Sequence, residues 1–341
     1  MAATRGTLTI GPVTAAPGPV ASGALQVPAR AGDAGTTIPI TIIHGASPGP
    51  VLALVAGVHG MEYVPVIALQ RLRAALDPAT LRGTIVMVHV ANMPSFLGRT
   101  IYYSPVDGQN LNRVFPGRPD GTLSERIADV LTREIIARAT HVIDLHGGDG
   151  NESLRPYLYW ITTGDPSVAD ASRGVALAFG LDHIVVDDER PTEAAASMYL
   201  SNTAITRGKP AITVETGCLA RIDEASLALV ARGVAGVLRH LDMRDEGPAP
   251  VADPIWLTRN VVIRAGGTGL FYPSVHCGDV VAEGAGLGRV TDFHGRVVED
   301  IHAPLGGEVL YVVATPPVTK GEPLAMVAAT GRTPDARPSR P

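Results

Sequence analysis

Four stretches of the chain carry side chains that could do hydrolytic chemistry around a metal ion. In VLALVAGVHGMEYVPVIALQRL an apolar, strand-like run passes through Gly57 to His59 and Glu62 and then into an apolar helical pattern. The i, i+3 spacing lets an imidazole and a carboxylate converge on one ion if the turn is tight, with Gly57 and Gly60 supplying backbone freedom. A lone His-x-x-Glu is common, however, and a Glu at a helix start also serves as a partner of the helix dipole. In the second stretch, Ala139 to Gly148, Asp144 and His146 sit two apart on a β-rich run and point to one side, just before a double glycine. His146 is a natural third ligand, because catalytic zinc takes three protein ligands, often two His and one Glu, and keeps a fourth position for water. Asp144 reads as a partner that orients a ligand. The plainer alternative is a strand-end histidine bonded to a backbone carbonyl, with Asp144 as a cap.

The third stretch, Pro210 to Gly217, is another apolar run, and it ends in Glu215. A carboxylate there, close to an ion, could take a proton from water and later give it to a leaving amine; otherwise it is a solvated strand-end acid. The fourth runs from Asn92-Met-Pro94 through Arg99 to Gly108-Gln-Asn-Leu-Asn-Arg-Val-Phe-Pro-Gly117. Arg99 and Arg113 offer fixed positive charge for an oxyanion or a substrate carboxylate, or else they pair with acids such as Asp107 or Asp120. No one of these stretches decides the matter. Three separate strand ends bearing His, His or Glu beside glycine make coincidence a poor account.

The elements that must position these residues alternate. Strand patterns fall at 38–43, 51–57, 84–90, 141–145, 157–162, 183–187 and 211–215, with helical patterns near 64–76, 123–138, 166–179, 193–207 and 223–242. This predicts an α/β fold, a helix-flanked mixed and largely parallel sheet, and ligands bind at the carboxyl ends of the strands of such sheets. Residues 1–36 read as an N-terminal arm or edge strands, 37–245 as the catalytic domain, 246–330 as a small all-β domain after the Pro-rich break EGPAPVADP, and 331–341 as a disordered tail.

A net charge of -5 gives no basic footprint for nucleic acid or a membrane surface, so a small-molecule partner is the expectation. No apolar stretch of about 18 residues or secretory leader is present, and Cys218 and Cys277 form no framework, which reads as a cytoplasmic, reduced setting. A homo-oligomer is the expected state.

Taken in order, these residues resemble the succinylglutamate desuccinylase/aspartoacylase family, a branch of the carboxypeptidase A-like zinc hydrolases. The resemblance covers roughly residues 38–245: Gly57 to Glu62, Asn92 to Pro94, Arg99, Leu111 to Gly117, Asp144 to His146, and Glu215. It implies that His59, Glu62 and His146 bind one zinc ion and that Glu215 is the general base and acid. It further implies that Arg99 polarises the scissile carbonyl, while Asn112 and Arg113 hold a substrate carboxylate. One departure concerns substrate: where aspartoacylases typically read Asp-Leu-Asn-Arg, this chain has Asn110, and SPVDGQNLNRVFPG looks more like bacterial relatives, including deacetylases of N-acetyl-diaminobutyrate.

Residues 255–328 resemble the small β-barrel of biotinyl and lipoyl carriers, but neither Lys209 nor Lys320 follows the Ala303-Pro-Leu-Gly-Gly turn as a carrier lysine would. A scaffold that narrows the site's mouth or makes a subunit interface is expected, with His276, His294 and His302 in surface or hairpin roles. The function implied is removal of an acyl group from a small N-acylated amino acid. The rivals are a carboxypeptidase-type peptidase or esterase using the same site, and a non-catalytic binding protein on a degenerate hydrolase fold.

Overall fold

The computed structural model describes residues 5–331, so the expected tail lies, from residue 332 onward, outside the described residues. The chain begins with a hairpin, β1 (Leu8–Ile10) and β2 (Val13–Ala15), followed by β3 (Val20–Val27), β4 (Thr36–His44) and β5 (Ser47–Ala56). Helix α1 (Tyr63–Ala75), β6 (Arg82–Val88), a short α2 (Met93–Gly98) and α3 (Leu123–Val130) lead to β7 (His141–Gly148), β8 (Glu152–Leu154) and β9 (Tyr157–Ile161). Then come α4 (Pro166–Phe179), β10 (His183–Asp187), α5 (Leu200–Ile205), β11 (Ala211–Cys218) and α6 (Glu224–His240).

These strands form a mixed sheet in the order β12-β10-β9-β11-β7-β5-β6-β4-β3, in which β12 (Ile255–Arg264) opens the C-terminal region. At its centre β6, β5, β7 and β11 are mutually parallel, whereas β9 runs antiparallel to β11, and β4 antiparallel to both β6 and β3. The alternation of side chains along β5 explains the layering. Leu52, Leu54 and Ala56 pack into one apolar core with residues of α1, α4 and α6, while Ala53 and Val55 join a second core with residues of α3 and α5. Both faces of the sheet are therefore covered, and this is why the central strands read as unbroken apolar runs.

Two stretches differ from the sequence pattern. The helix expected over 193–207 is reduced to a 3-10 turn, Ala194–Ala196, and the short α5. Between them Met198 exchanges backbone hydrogen bonds with Phe115 in both directions, so its amide and carbonyl are not available to a helix, and its φ is +68°. The segment is pulled onto the Leu-Asn-Arg loop. Helix α2, which the sequence pattern did not announce, starts where the Asn92 side chain accepts from the Ser95 amide with Pro94 in the first turn.

The C-terminal strands do not stand apart from the large sheet. β12 pairs in parallel with β10 and antiparallel with β19 (Pro323–Thr330), which continues to β17 (Gly307–Val313) and β14 (Val280–Val281). A second, four-stranded antiparallel sheet holds β13 (Gly269–Pro273), β15 (Gly286–Thr291), β16 (Val297–His302) and β18 (Pro317–Val318). One apolar core, including Phe271, Leu287, Val309 and Leu324, joins the two C-terminal sheets. No helix among the described residues is long and apolar enough to cross a membrane.

The first residues are tied down by an ion pair. Arg126 of α3 reaches Asp33 at 2.6 Å and also donates to the carbonyls of Gly121 and Pro28. The Arg126 hydrogen bond holds the Asp33 carboxyl below its ordinary value. A depressed carboxylate stabilises the fold above its unfolded pKa of about 3.9, and that contribution is lost as pH falls through the folded value. Asp33→Asn is therefore expected to lower stability by about 1–2 kcal/mol at neutral pH, less than for a fully buried pair because the carboxylate lies near the surface. Urea unfolding of both proteins should show that difference shrinking as the pH is lowered towards ~3.

Candidate active site

The carboxyl ends of β5, β7 and β11, three adjacent parallel strands, deliver the central groups to one edge of the sheet. β5 ends at Ala56, and the turn that follows presents His59 and then Glu62 at the start of α1. This turn needs glycine at position 60, since a Cβ there would lie 2.2 Å from the Ser95 carbonyl oxygen. Glu62 precedes the helix, yet its side chain makes no cap to it. Its carboxylate turns inward instead, 2.9 Å from His59 Nδ1 and 3.0 Å from His146 Nδ1. His146 comes from β7, where Gly147 allows β11 to pass closely; a Cβ there would meet the Thr216 carbonyl oxygen at 2.3 Å.

His59, Glu62 and His146 thus form a group whose ligand atoms lie within 4.8 Å of one another and could hold a metal ion. The other nitrogen of each ring has its own partner. Asn110 Oδ1 accepts the Asn112 amide and lies 3.2 Å from His59 Nε2, so the same oxygen is placed to accept from that ring nitrogen. His146 Nε2 lies 3.0 Å from Asp144 Oδ1 and 3.3 Å from the Asn112 Nδ2. Both Nδ1 atoms consequently face Glu62. Two imidazoles oriented through one nitrogen by outer acceptors, leaving the other to face a carboxylate, is the donor set of a divalent transition-metal site. Glu62 Oε2 is buried without a hydrogen-bond partner among the described residues, as a ligand oxygen awaiting a cation would be.

Glu215 lies beside this group, in register with His146 on the neighbouring strand and opposite Tyr157 on the other side. Burial pushes its carboxyl well above the ordinary range; His146 opposes this, and the nearby Glu62, Glu152 and Asp144 add to it. Burial also works to raise Glu62, but the two histidines outweigh it and draw that carboxyl down to about 2. For His146, burial disfavours the charged ring, yet Asp144 and Glu62 more than compensate and hold its pKa well above the usual value. Surrounding negative charge favours the protonated form of Glu215, which cannot accept a proton, and a dication nearby would shift it back towards the carboxylate.

The arginines occupy different settings. Asn112 is buried, its Oδ1 taken by the Leu200 amide, so its amide group braces the loop against α5 and beside His146. Arg113 donates to the Asn112 carbonyl, and its guanidinium lies over the Tyr199 ring, 4.7 Å from the centroid. It opens on a cleft of about 710 Å³ lined also by Tyr159, Arg190, Tyr199, Arg259 and Arg264. Arg190, paired with Asp187, lies over the same Tyr199 ring at 3.8 Å. Arg99 is exposed in the left-handed conformation that ends α2, φ +51°, so it is not packed with the other predicted residues. Neither Arg99 nor Arg113 pairs with Asp107 or Asp120: Asp107 instead accepts from Ser124 and Gln109, capping α3 and the loop.

Sequence reasoning missed the role of Asn110 as a partner of His59, and it missed three further groups. Asp149 Oδ2 lies 3.4 Å from His59 Nδ1, and the buried Glu152 accepts the Tyr102 hydroxyl at 2.6 Å. Burial, with the Glu62 charge, raises the Glu152 carboxyl to about 7, and burial and the same carboxylates push Asp149 well above its usual value. The signal for Asp149 is visible in the chain, since His146-Gly-Gly-Asp149 repeats the His-x-x-acid spacing of His59 and Glu62.

Residues 48–241 match the model of the succinylglutamate desuccinylase/aspartoacylase catalytic domain. The chain is 34% identical over 262 residues to an N-alpha-acetyl-L-2,4-diaminobutyric acid deacetylase of Halomonas elongata, covering 75% of this chain and 74% of that protein. Its structure is similar to that of an ectoine utilization protein from Ruegeria pomeroyi, solved with product bound, at a TM-score of 0.81 and 28% identity over 95% of this chain and 100% of the other. A succinylglutamate desuccinylase/aspartoacylase from Rhodobacter sphaeroides gives a TM-score of 0.80 and 26% identity, covering 93% and 97% of the two chains. The motifs, the fold around them and these likenesses agree, and the chain belongs to the succinylglutamate desuccinylase/aspartoacylase family.

Proposed function

We propose that the protein is a zinc-dependent amidohydrolase that removes an acyl group from a small N-acylated amino acid or a related carboxylate-bearing amide. The observation that carries this reading is the pair of imidazole Nδ1 atoms turned on Glu62, with each Nε2 facing an outer acceptor, Asn110 or Asp144. His59, Glu62 and His146 would hold a zinc ion, which when bound would supply Lewis acidity and the activation of water. Glu215, in register with His146, takes the proton and returns it to the departing amine. Asn112 braces the loop that carries Arg113, and the Arg113 guanidinium, which pairs with no acid among the described residues and is held over Tyr199, grips the substrate carboxylate. Arg99, on its exposed turn, serves as the carbonyl-polarising charge once substrate is in place. The C-terminal strands are read as a small β-barrel scaffold whose strand β12 supplies Arg259 and Arg264 to the cleft wall.

The Halomonas elongata relative is named for an Nα-acetylated diamino acid, so Nα-acetyl-2,4-diaminobutyrate is the first substrate to try, beside succinyl and formyl amino acids and dipeptides. Amine release from an acyl amino acid with none from dipeptides is expected, and the reverse pattern would favour the peptidase reading. Glu215→Gln is expected to keep its zinc by metal analysis and to lose about 10²- to 10⁴-fold in kcat. Near-normal turnover by that variant would remove Glu215 from the mechanism. Arg113→Met should raise KM about 10- to 100-fold for carboxylate substrates, in line with the loss of a charged hydrogen-bonded contact, while kcat changes much less.

A further inference from the structure

Five carboxylates, those of Glu62, Asp144, Asp149, Glu152 and Glu215, gather around two imidazoles at this edge of the sheet. Among the described residues no Lys or Arg pairs with any of them; the ion pairs formed there involve only His59 and His146. Asp144 orients His146, Glu62 faces both rings, and Glu152 is taken by Tyr102. Asp149 has no such task. It is 2% exposed, its Oδ1 has no hydrogen-bond partner among the described residues, and its nearest charge partner is His59 Nδ1 at 3.4 Å. That nitrogen is already engaged by Glu62 at 2.9 Å, so Asp149 is not positioned as the partner that orients the ring.

The backbone holds Asp149 in this place rather than leaving it loose. Its amide donates to the Gly147 carbonyl, and its carbonyl accepts the Ala220 amide beyond the end of β11. A charge kept this far from water without a donor disfavours the fold unless something positive sits beside it. Asp149 is not one of the three residues of that compact group.

We propose that Asp149 belongs to the metal centre as a second carboxylate beside Glu62, placed next to the ligating nitrogen of His59, where its negative charge tightens the hold on a divalent cation. The inference rests on the reading that His59, Glu62 and His146 hold zinc. Its role is to set the affinity of the site, through the attraction between a buried carboxylate and a dication a few ångströms away.

The test compares full-length wild type with Asp149→Asn by competition for zinc against a chromogenic chelator, together with the melting temperature of each metal-free protein. Expected are a zinc affinity about 10- to 100-fold weaker in the variant and a metal-free melting temperature equal to or above that of wild type, because a buried carboxyl crowded by other carboxyl groups has been removed. An unchanged zinc affinity overturns the proposal. So does a weaker affinity that comes with a lower metal-free melting temperature, or a variant that does not fold, since either makes Asp149 a structural residue. If wild type itself takes up no zinc, the three-ligand reading fails first, and the two failures are told apart by that control.

Discussion

A single carboxylate turned away from its own helix governs the catalytic edge. Glu62 stands where a helix-start acid ordinarily caps the first turn, yet it makes no cap and lies between two buried imidazoles. Everything near it follows from the need to keep those rings facing it. Asn110 and Asp144 lie on the far nitrogens, the glycines at 60 and 147 let neighbouring backbone come close, and the parallel strands β5, β7 and β11 bring the rings to one edge. Negative charge in excess of positive is the electrostatic signature of the arrangement, and a bound cation would balance it.

The loop from Asn110 to Phe115 organises the second half of the site. It gives Asn110 to His59, Asn112 to the Leu200 amide and Arg113 to the cleft, and its Phe115 ties to Met198. One short segment therefore spans the distance between the His59, Glu62 and His146 group and the charged cleft. The Tyr199 ring, carried by the segment that this loop unwinds, receives both Arg113 and Arg190. Ring faces attract guanidinium groups, so two cations can be kept in one cleft without an acid for each.

Much of this was legible in the chain because the chemistry sits at strand ends and the central strands are uniformly apolar. His59, Glu62, His146 and Glu215 were marked by glycine beside a strand's close, and the β and α periods located seven of the eight catalytic-region strands, missing only the three-residue β8. Other features depend on contacts distant in sequence. The loss of helix at 197–199 comes from Phe115, which no local pattern announces. Asn110 signalled only a departure from the aspartoacylase pattern, whereas its partner, His59, lies 51 residues away. The exposed, left-handed turn of Arg99 follows from the end of α2, a helix too short to give a period. The C-terminal strands read as a separate unit because short glycine-punctuated strands follow the Pro-rich break EGPAPVADP; their union with the main sheet is made by the β10–β12 pairing, invisible to local periodicity.

The pairing of β8 with β17 has a consequence for how the protein is made. Leu154, just beyond Asp149 and Glu152, is fastened by Tyr311, and Asn151 accepts the Ala314 amide through its backbone carbonyl. A chain emerging from the ribosome acquires His59, Glu62, His146 and Glu215 long before these residues exist. The acidic loop gains its last support only near the end of synthesis, so assembly of this edge is one of the late, non-local events of folding. The order of translation thereby separates the synthesis of His59, Glu62, His146 and Glu215 from the docking of the loop beside them.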